Sequence, residues 1–276
     1  MCSEQKDFSK YLVIFVDILG SQNRTDFQEM YKINTIFHDE LEKNQQRDMF
    51  HTVYFRKIYT FSDCAYIFYS FKDGITDEQK DIGKLFTVAL CNCEPLFLRF
   101  LKERIIFRGG IYYGDAYIDP HRNMFFGDAV NRAYKLESEV AVHPRVVIDS
   151  FVAENAMENI SQVKYKIVGQ DPKYIPYLGM MLMPIIPETG DGIVETDLDG
   201  QYIFNYLHFP ENNIGSPDTY LSCQDFIEEL MEFCFEQIEN NKQYKIIDKY
   251  YYLLRFCQSK LDILLASLNE IETKEE

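Results

Sequence analysis

The sequence predicts an α+β fold, an antiparallel sheet with helices packed on one face in the ferredoxin-like order, with a C-terminal helical hairpin appended. Three observations carry this expectation. Short, β-branched or aromatic apolar runs recur through the first half of the chain. Longer segments with apolar residues at helical spacing separate them. Two long helical patterns then close the chain without an intervening strand signal.

The first run, Tyr11 to Val16, is short and wholly apolar, as a buried strand should be, and it ends at Asp17. Gly20 and Ser21 turn the chain. Phe27, Met30, Tyr31, Ile33, Ile36, Phe37 and Leu41 then recur at helical spacing. Val53–Tyr59 and Ala65–Phe71 read as the two strands of a hairpin around Thr60-Phe61-Ser62-Asp63. Gln79–Lys102 is a long helix, and Arg104–Tyr113 a strand that Gly114 is expected to end in a turn. Tyr117 to Pro120 ends a further short strand. Gly127 precedes a helix from Ala129 to about Glu139, and Arg145–Asp149 is another strand.

From Phe151 to Pro210 the pattern is irregular, with loops at Gly190-Asp191-Gly192 and at Asp197 to Gly200, and a late strand at Gln201–Leu207. Pro210–Pro217 has linker composition. Ser222, with Asp225 three residues on, is expected to cap the first helix of the hairpin. The second runs from about Tyr244 to Leu268. The expected division is a catalytic domain over residues 1–210 and a helical extension over 211–276.

With 276 residues and 46% hydrophobic content, the chain can bury one sizeable core. Its formal net charge of −16 argues against a nucleic-acid binder, which needs a basic face, and no basic run suits an anionic membrane. Seven cysteines without paired spacing read as free thiols in a reducing compartment. The polar N-terminus and the lack of any long apolar stretch predict a cytoplasmic protein without a membrane span. The five histidines are scattered, and there is neither a P-loop nor a dinucleotide-binding glycine fingerprint.

Asp17 and Asp63 are the candidate metal ligands. In a ferredoxin-like sheet, the end of the first strand and this hairpin turn lie side by side. Mg²⁺ typically takes one or two carboxylates and completes its shell with phosphate oxygens, and a pair of such ions suits in-line phosphoryl transfer. An aspartate at a strand end is also an ordinary turn former, so the pair alone does not decide.

The segments FVDILGS (Phe15–Ser21), FSD (Phe61–Asp63), RGGIYYG (Arg108–Gly114) and GDAVNRAYKLES (Gly127–Ser138) resemble class III nucleotide cyclases, in the family's order. The resemblance covers about half the chain, from Tyr11 to Asp149. It implies two divalent ions, Mn²⁺ or Mg²⁺, on Asp17 and Asp63, and a phosphate-wrapping backbone over Ile18, Leu19, Gly20 and Ser21. It implies that Asn131 orients the ribose, that Lys135 stands where the family's triphosphate arginine falls, and that Arg108 matches the arginine of the RxGIxxG strand. It also implies a head-to-tail homodimer whose sites are shared between subunits.

The sequence departs from the purine-specific members. Tyr59 and Met124 replace their base-reading lysine and aspartate, and Asp115 stands where many carry a phosphate-contacting arginine. These departures resemble the bacterial Pycsar pyrimidine cyclases. That resemblance implies UTP as substrate, with CTP the alternative, and a role in antiphage defence through an effector that senses the cyclic nucleotide. Two other readings stay open: a catalytically silent cyclase-like module, and a polymerase-like palm or cyclic-dinucleotide synthase.

Overall fold

The sheet is organised around β1 (Ser9–Ile18), whose residues Leu12 to Val16 are apolar on both faces and all buried. A strand covered on both sides needs such a continuous apolar run. In the computed structural model, which describes residues 7–20, 24–46, 53–167, 192–208 and 217–275, β1 is flanked by antiparallel partners. On one side lies β3 (Cys64–Phe71), joined in a hairpin to β2 (Tyr54–Phe61). On the other is β4 (Phe107–Asp119). Beyond β4 come β6 (Val146–Ile148), β8 (Tyr202–Phe204) and β7 (Val194–Thr196), giving the order β2-β3-β1-β4-β6-β8-β7. The short β5 (Met124–Phe126) folds back onto the end of β4. Only the β4–β6 pairing is parallel among the pairings described.

Alternate residues of β1 face two different cores. Leu12, Ile14 and Val16 join the main one, beneath α1 (Phe27–Gln46), α2 (Ile82–Lys102) and α4 (Ser150–Ile167). Val13 and Phe15 face a smaller cluster with Ala129, Val130 and Ala133 of α3 (Asp128–Lys135). Helices therefore cover both faces, which corrects the one-faced arrangement expected from the sequence. The α3 face closes because the helix comes very near the sheet. A Cβ at Gly110 of β4 would stand 2.2 Å from the Ala133 carbonyl oxygen and 2.7 Å from Leu136 Cβ. Only a residue without a side chain fits between them.

Three other expectations change. Gly114 does not end a strand: β4 pairs with β1 continuously, Gly114 lying opposite Tyr11, so the ladder carries the chain straight through. The helix after Gly127 is α-helical only to Lys135 and continues as a π-helical turn, Leu136–Val140. Gly127 itself has φ +138°, a conformation that favours glycine, and leads the chain sharply from β5 into α3. The irregular region contains a full helix, α4, whose Val152, Ala153, Ala156 and Ile160 are buried.

The C-terminal hairpin consists of α5 (Pro217–Asn240) and α6 (Tyr244–Glu275). Pro217 begins α5, so Ser222 lies inside the helix and not at its cap; proline's fixed φ suits a first helical turn. Cys223, Ile227, Leu230 and Cys234 of α5 and Leu253, Phe256 and Cys257 of α6 belong to the same core as β1. Burying a leucine, isoleucine or phenylalanine this fully contributes about 1.5–3 kcal/mol each. Among the described residues, no helix is long and apolar enough to cross a membrane.

Candidate active site

Asp17 and Asp63 meet at one end of the sheet. Asp17 is opposite Cys64 in the β1–β3 register, one residue from the hairpin turn, and the Ile18 N–H donates to the Asp63 carbonyl at 3.0 Å. The turn is tight, with Phe61 paired to Cys64 and Ser62 in the left-handed region at φ 54°. The Leu19 N–H donates to the Ile106 carbonyl at 2.9 Å, so β1 is anchored on both sides where it leaves the sheet.

A cavity of about 450 Å³ opens at this end, lined by Asp17, Asp63, Ser62, Arg24 and the α1 residues Met30, Ile33 and Asn34. Asp17 is held from behind. Arg108 stands opposite it in the β1–β4 register, with Nε 3.5 Å from Asp17 Oδ2 and 2.5 Å from Glu137 Oε1. Glu137 comes from the π-helical turn after α3 and is only 2% exposed. Burial pushes its carboxyl up to about 7, with Arg108 opposing and the charge and hydrogen bond of Asp17 adding to the rise. Glu137 therefore holds its proton to a higher pH than an ordinary carboxyl does. Burial also raises Asp17; Arg108 opposes this, and the neighbouring charge of Asp63 adds to it.

Two carboxylates beside one cavity fit the divalent ions implied by the sequence resemblance. Among the described residues no group of three or more His, Cys, Asp or Glu could enclose an ion by itself. Of the implied phosphate-wrapping backbone, Ile18 and Leu19 spend their N–H groups inside the sheet end, and Gly20 occupies the turn at φ +82°. Ser21 lies outside the described residues.

A second cavity, of about 740 Å³, lies on the α3 side and meets the first at the hairpin tip: Phe61 and Cys64 line one, Ser62 and Asp63 the other. Tyr59, Tyr66, Phe125, Tyr134, Lys57 and Asn123 also line it. The buried Tyr59 hydroxyl has no hydrogen-bond partner among the described residues. Burial, with the charge of Asp119 and Tyr11 adding, pushes this phenol up to about 12, so it stays protonated at neutral pH. The Tyr59 ring packs on Phe125 with centroids 4.8 Å apart. Met124, one residue earlier in β5, is 36% exposed and does not line the cavity. The structure thus joins Tyr59 to Phe125, a residue the sequence reading passed over because it followed a family position and ignored strand alternation.

Asn131 and Lys135 are exposed on α3 and line neither cavity. Asp115 forms an exposed ion pair with Lys10 at 2.9 Å. Two further residues near Asp17 went unnoticed in the sequence. Arg24 follows the β1 turn. Lys249 of α6 is held below the usual lysine value by burial first and then by Arg108, with Asp17 pulling the other way. Nothing in the periodicity of α6 singles out Lys249, since its position depends on how the hairpin docks.

A separate network fastens that docking. Arg145, 5% exposed, pairs with Asp197 at 2.6 Å and Asp199 at 2.7 Å in the β7–β8 turn. The Tyr252 hydroxyl of α6 donates to Asp197 at 2.7 Å, and the His143 ring stacks on Tyr252.

No protein-family model matches the chain, and no curated protein matches it either. Among solved structures, it is similar to the monomeric guanylyl cyclase domain of a RhoGC fusion protein from the aquatic fungus Blastocladiella emersonii, with 18% identity, a TM-score of 0.41, and coverage of 56% of this chain and 90% of that one. The catalytic core of a rhodopsin-guanylyl cyclase with converted specificity, in complex with ATPαS, gives 17% identity, a TM-score of 0.40, and coverage of 72% and 97%. A non-canonical dimeric guanylyl cyclase domain of the Blastocladiella protein gives 18% identity, a TM-score of 0.39, and coverage of 55% and 86%.

Proposed function

We propose that this protein is a nucleotide cyclase of the class III type that converts UTP to 3′,5′-cyclic UMP and pyrophosphate. The observation that carries the reading is the meeting of Asp17 and Asp63 beside a cavity, within the sequence segments that resemble the family. Divalent ions held by those carboxylates would neutralise phosphate charge and favour ionisation of the ribose hydroxyl. The 3′-oxygen attacks the α-phosphorus, the bond to the β-phosphate oxygen breaks, and the hydroxyl proton leaves to solvent. Arg108 and Glu137 steady Asp17 while this happens.

Tyr59 supports a pyrimidine base. Its unpaired hydroxyl offers one donor and one acceptor to a base edge inside an aromatic cavity. UTP is the preferred reading and CTP the alternative. In a head-to-tail homodimer, Asp17 and Asp63 of one subunit would face Tyr59 and Met124 of the other, together with its Asn131 and Lys135. The exposure of Asn131 and Lys135 supports this, as does the exposed apolar surface of Phe61, Phe126 and Tyr134 nearby, since such patches mark interfaces. The sequence resemblance to Pycsar cyclases supports a role in antiphage signalling through a downstream effector.

The test is incubation of the pure protein with each of the four ribonucleoside triphosphates and Mn²⁺, with products identified by mass. Cyclic UMP as the main product is expected. Cyclic AMP or cyclic GMP at a comparable rate would overturn the base assignment, and the absence of any cyclic product would overturn the enzyme reading.

A further inference from the structure

We propose that Arg24 is a triphosphate-binding residue of the Asp17–Asp63 cavity, gripping the polyphosphate chain of the nucleotide from within the same subunit. The proposal rests on the cyclase reading and adds a ligand-binding role to a residue outside the resembling segments.

Arg24 lines the cavity together with both aspartates, Ser62 and Asn34. It is half-buried, and among the described residues its one hydrogen bond runs from Nη2 to the Leu19 carbonyl at 3.3 Å. A guanidinium has five N–H donors, so most of its capacity is unspent. Among the described residues, no carboxylate lies within ion-pair distance of Arg24, although Asp17 and Asp63 share its cavity. Three other cations of the catalytic half are committed: Arg108 to Glu137 and Asp17, Lys10 to Asp115, Arg132 to Asp128. In a chain of net charge −16, a polyanion needs local positive charge, and Arg24 supplies it where the aspartates converge.

The chemistry fits a polyphosphate better than a carboxylate partner of the fold. A planar fork meets two phosphate oxygens at once, which a lysine cannot do. The bond to Leu19 sets the direction of the side chain. Because Leu19 is tied to Ile106 of the strand edge, the fork is referred to the sheet and not to a loose turn. The buried Ile33 provides an apolar wall on one side of the cavity.

The experiment is titration calorimetry on the full chain with Mn²⁺, using inorganic tripolyphosphate, 3′-deoxy-UTP and 3′-deoxy-UMP as probes. The deoxy compounds lack the attacking hydroxyl and cannot turn over. Arg24→Ala should weaken tripolyphosphate and 3′-deoxy-UTP by about tenfold to a hundredfold, as for a lost charge-assisted contact, and leave 3′-deoxy-UMP nearly unchanged. Arg24→Lys should recover part of the loss. Equal binding of tripolyphosphate by wild type and Arg24→Ala would overturn the Arg24 assignment alone. So would an equal loss of all three probes, which would mark Arg24 as a purely structural tie to Leu19. If the wild-type protein binds none of the probes, the cyclase reading falls and Arg24's role falls with it.

Discussion

Asp17 and Arg108 stand directly opposite each other in the β1–β4 ladder, and Arg108 is shared between Asp17 and the buried Glu137. The candidate metal ligand thus has a cation and a buried carboxyl behind it and a cavity in front. Its position is set by sheet register, the least deformable geometry the fold offers.

The carboxylates should be indispensable to turnover but not to folding. Asp17→Asn or Asp63→Asn is expected to lower Mn²⁺-dependent cyclisation by about a hundredfold or more, with circular dichroism unchanged. Near wild-type turnover with either variant would contradict the metal assignment.

Arg108→Ala should be costly to stability, by about 3 kcal/mol in urea unfolding at pH 8, because it leaves Glu137 buried without its counter-ion. The cost should shrink at pH 5. There Glu137, whose carboxyl is pushed up to about 7, carries a proton and needs the guanidinium less. A loss independent of pH would mean that packing and not charge holds the pair.

If sites are completed across a dimer, two dead proteins can rescue each other. Mixing Asp17→Ala with Asn131→Ala should restore a measurable fraction of activity once subunits exchange, since one site in each mixed dimer carries neither lesion. Exchange seen by native mass spectrometry without recovered turnover would rule out shared sites.

Tyr59→Phe removes a hydroxyl that has no partner among the described residues. It should leave thermal stability unchanged or slightly raised, and lower kcat/KM for UTP by about tenfold to a hundredfold. An unchanged kcat/KM would remove Tyr59 from base recognition.

Asp197 gives an acid limb to stability. Burial alone would raise its carboxyl, but the Tyr252 hydroxyl, the Leu198 N–H and Arg145 outweigh burial and hold it below the ordinary value. A carboxylate depressed in the folded state contributes stability above its unfolded pKa, and that contribution is lost as pH falls through the folded one. Asp197→Asn should therefore be clearly less stable than wild type at pH 6, with the gap narrowing below about pH 4. A gap that stays constant with pH would contradict the ion-pair account.

What the sequence revealed divides along physical lines. The run at Tyr11–Val16 was legible because it is short and continuously apolar, the Ala65–Phe71 strand because a short hairpin constrains it, and the Asp17–Asp63 adjacency because it follows from the expected sheet order. Helix α4 was not, because its buried stripe is built partly on small residues, Ala153 and Ala156, which leave little hydrophobic contrast. The run of β4 through Gly114 was hidden because a glycine reads as a turn until its pairing with Tyr11 is known. Arg24 and Lys249 reach their places through tertiary docking, which no local pattern encodes, whereas Phe125 follows from strand alternation in β5.

The helical hairpin shares its apolar interior with the sheet, and this bears on how the protein can be dissected. A chain cut at residue 210 would lose Ile227, Leu230, Leu253 and Phe256 from the main core and open that wall to water. It would also strip Lys249 from beside Arg108 and Tyr252 from Asp197. No minimal fragment can therefore be excised by trimming what looks like an appendage. The hairpin works as a keel, its buried side chains joined to the sheet core and its Lys249 set beside the end that carries the acids.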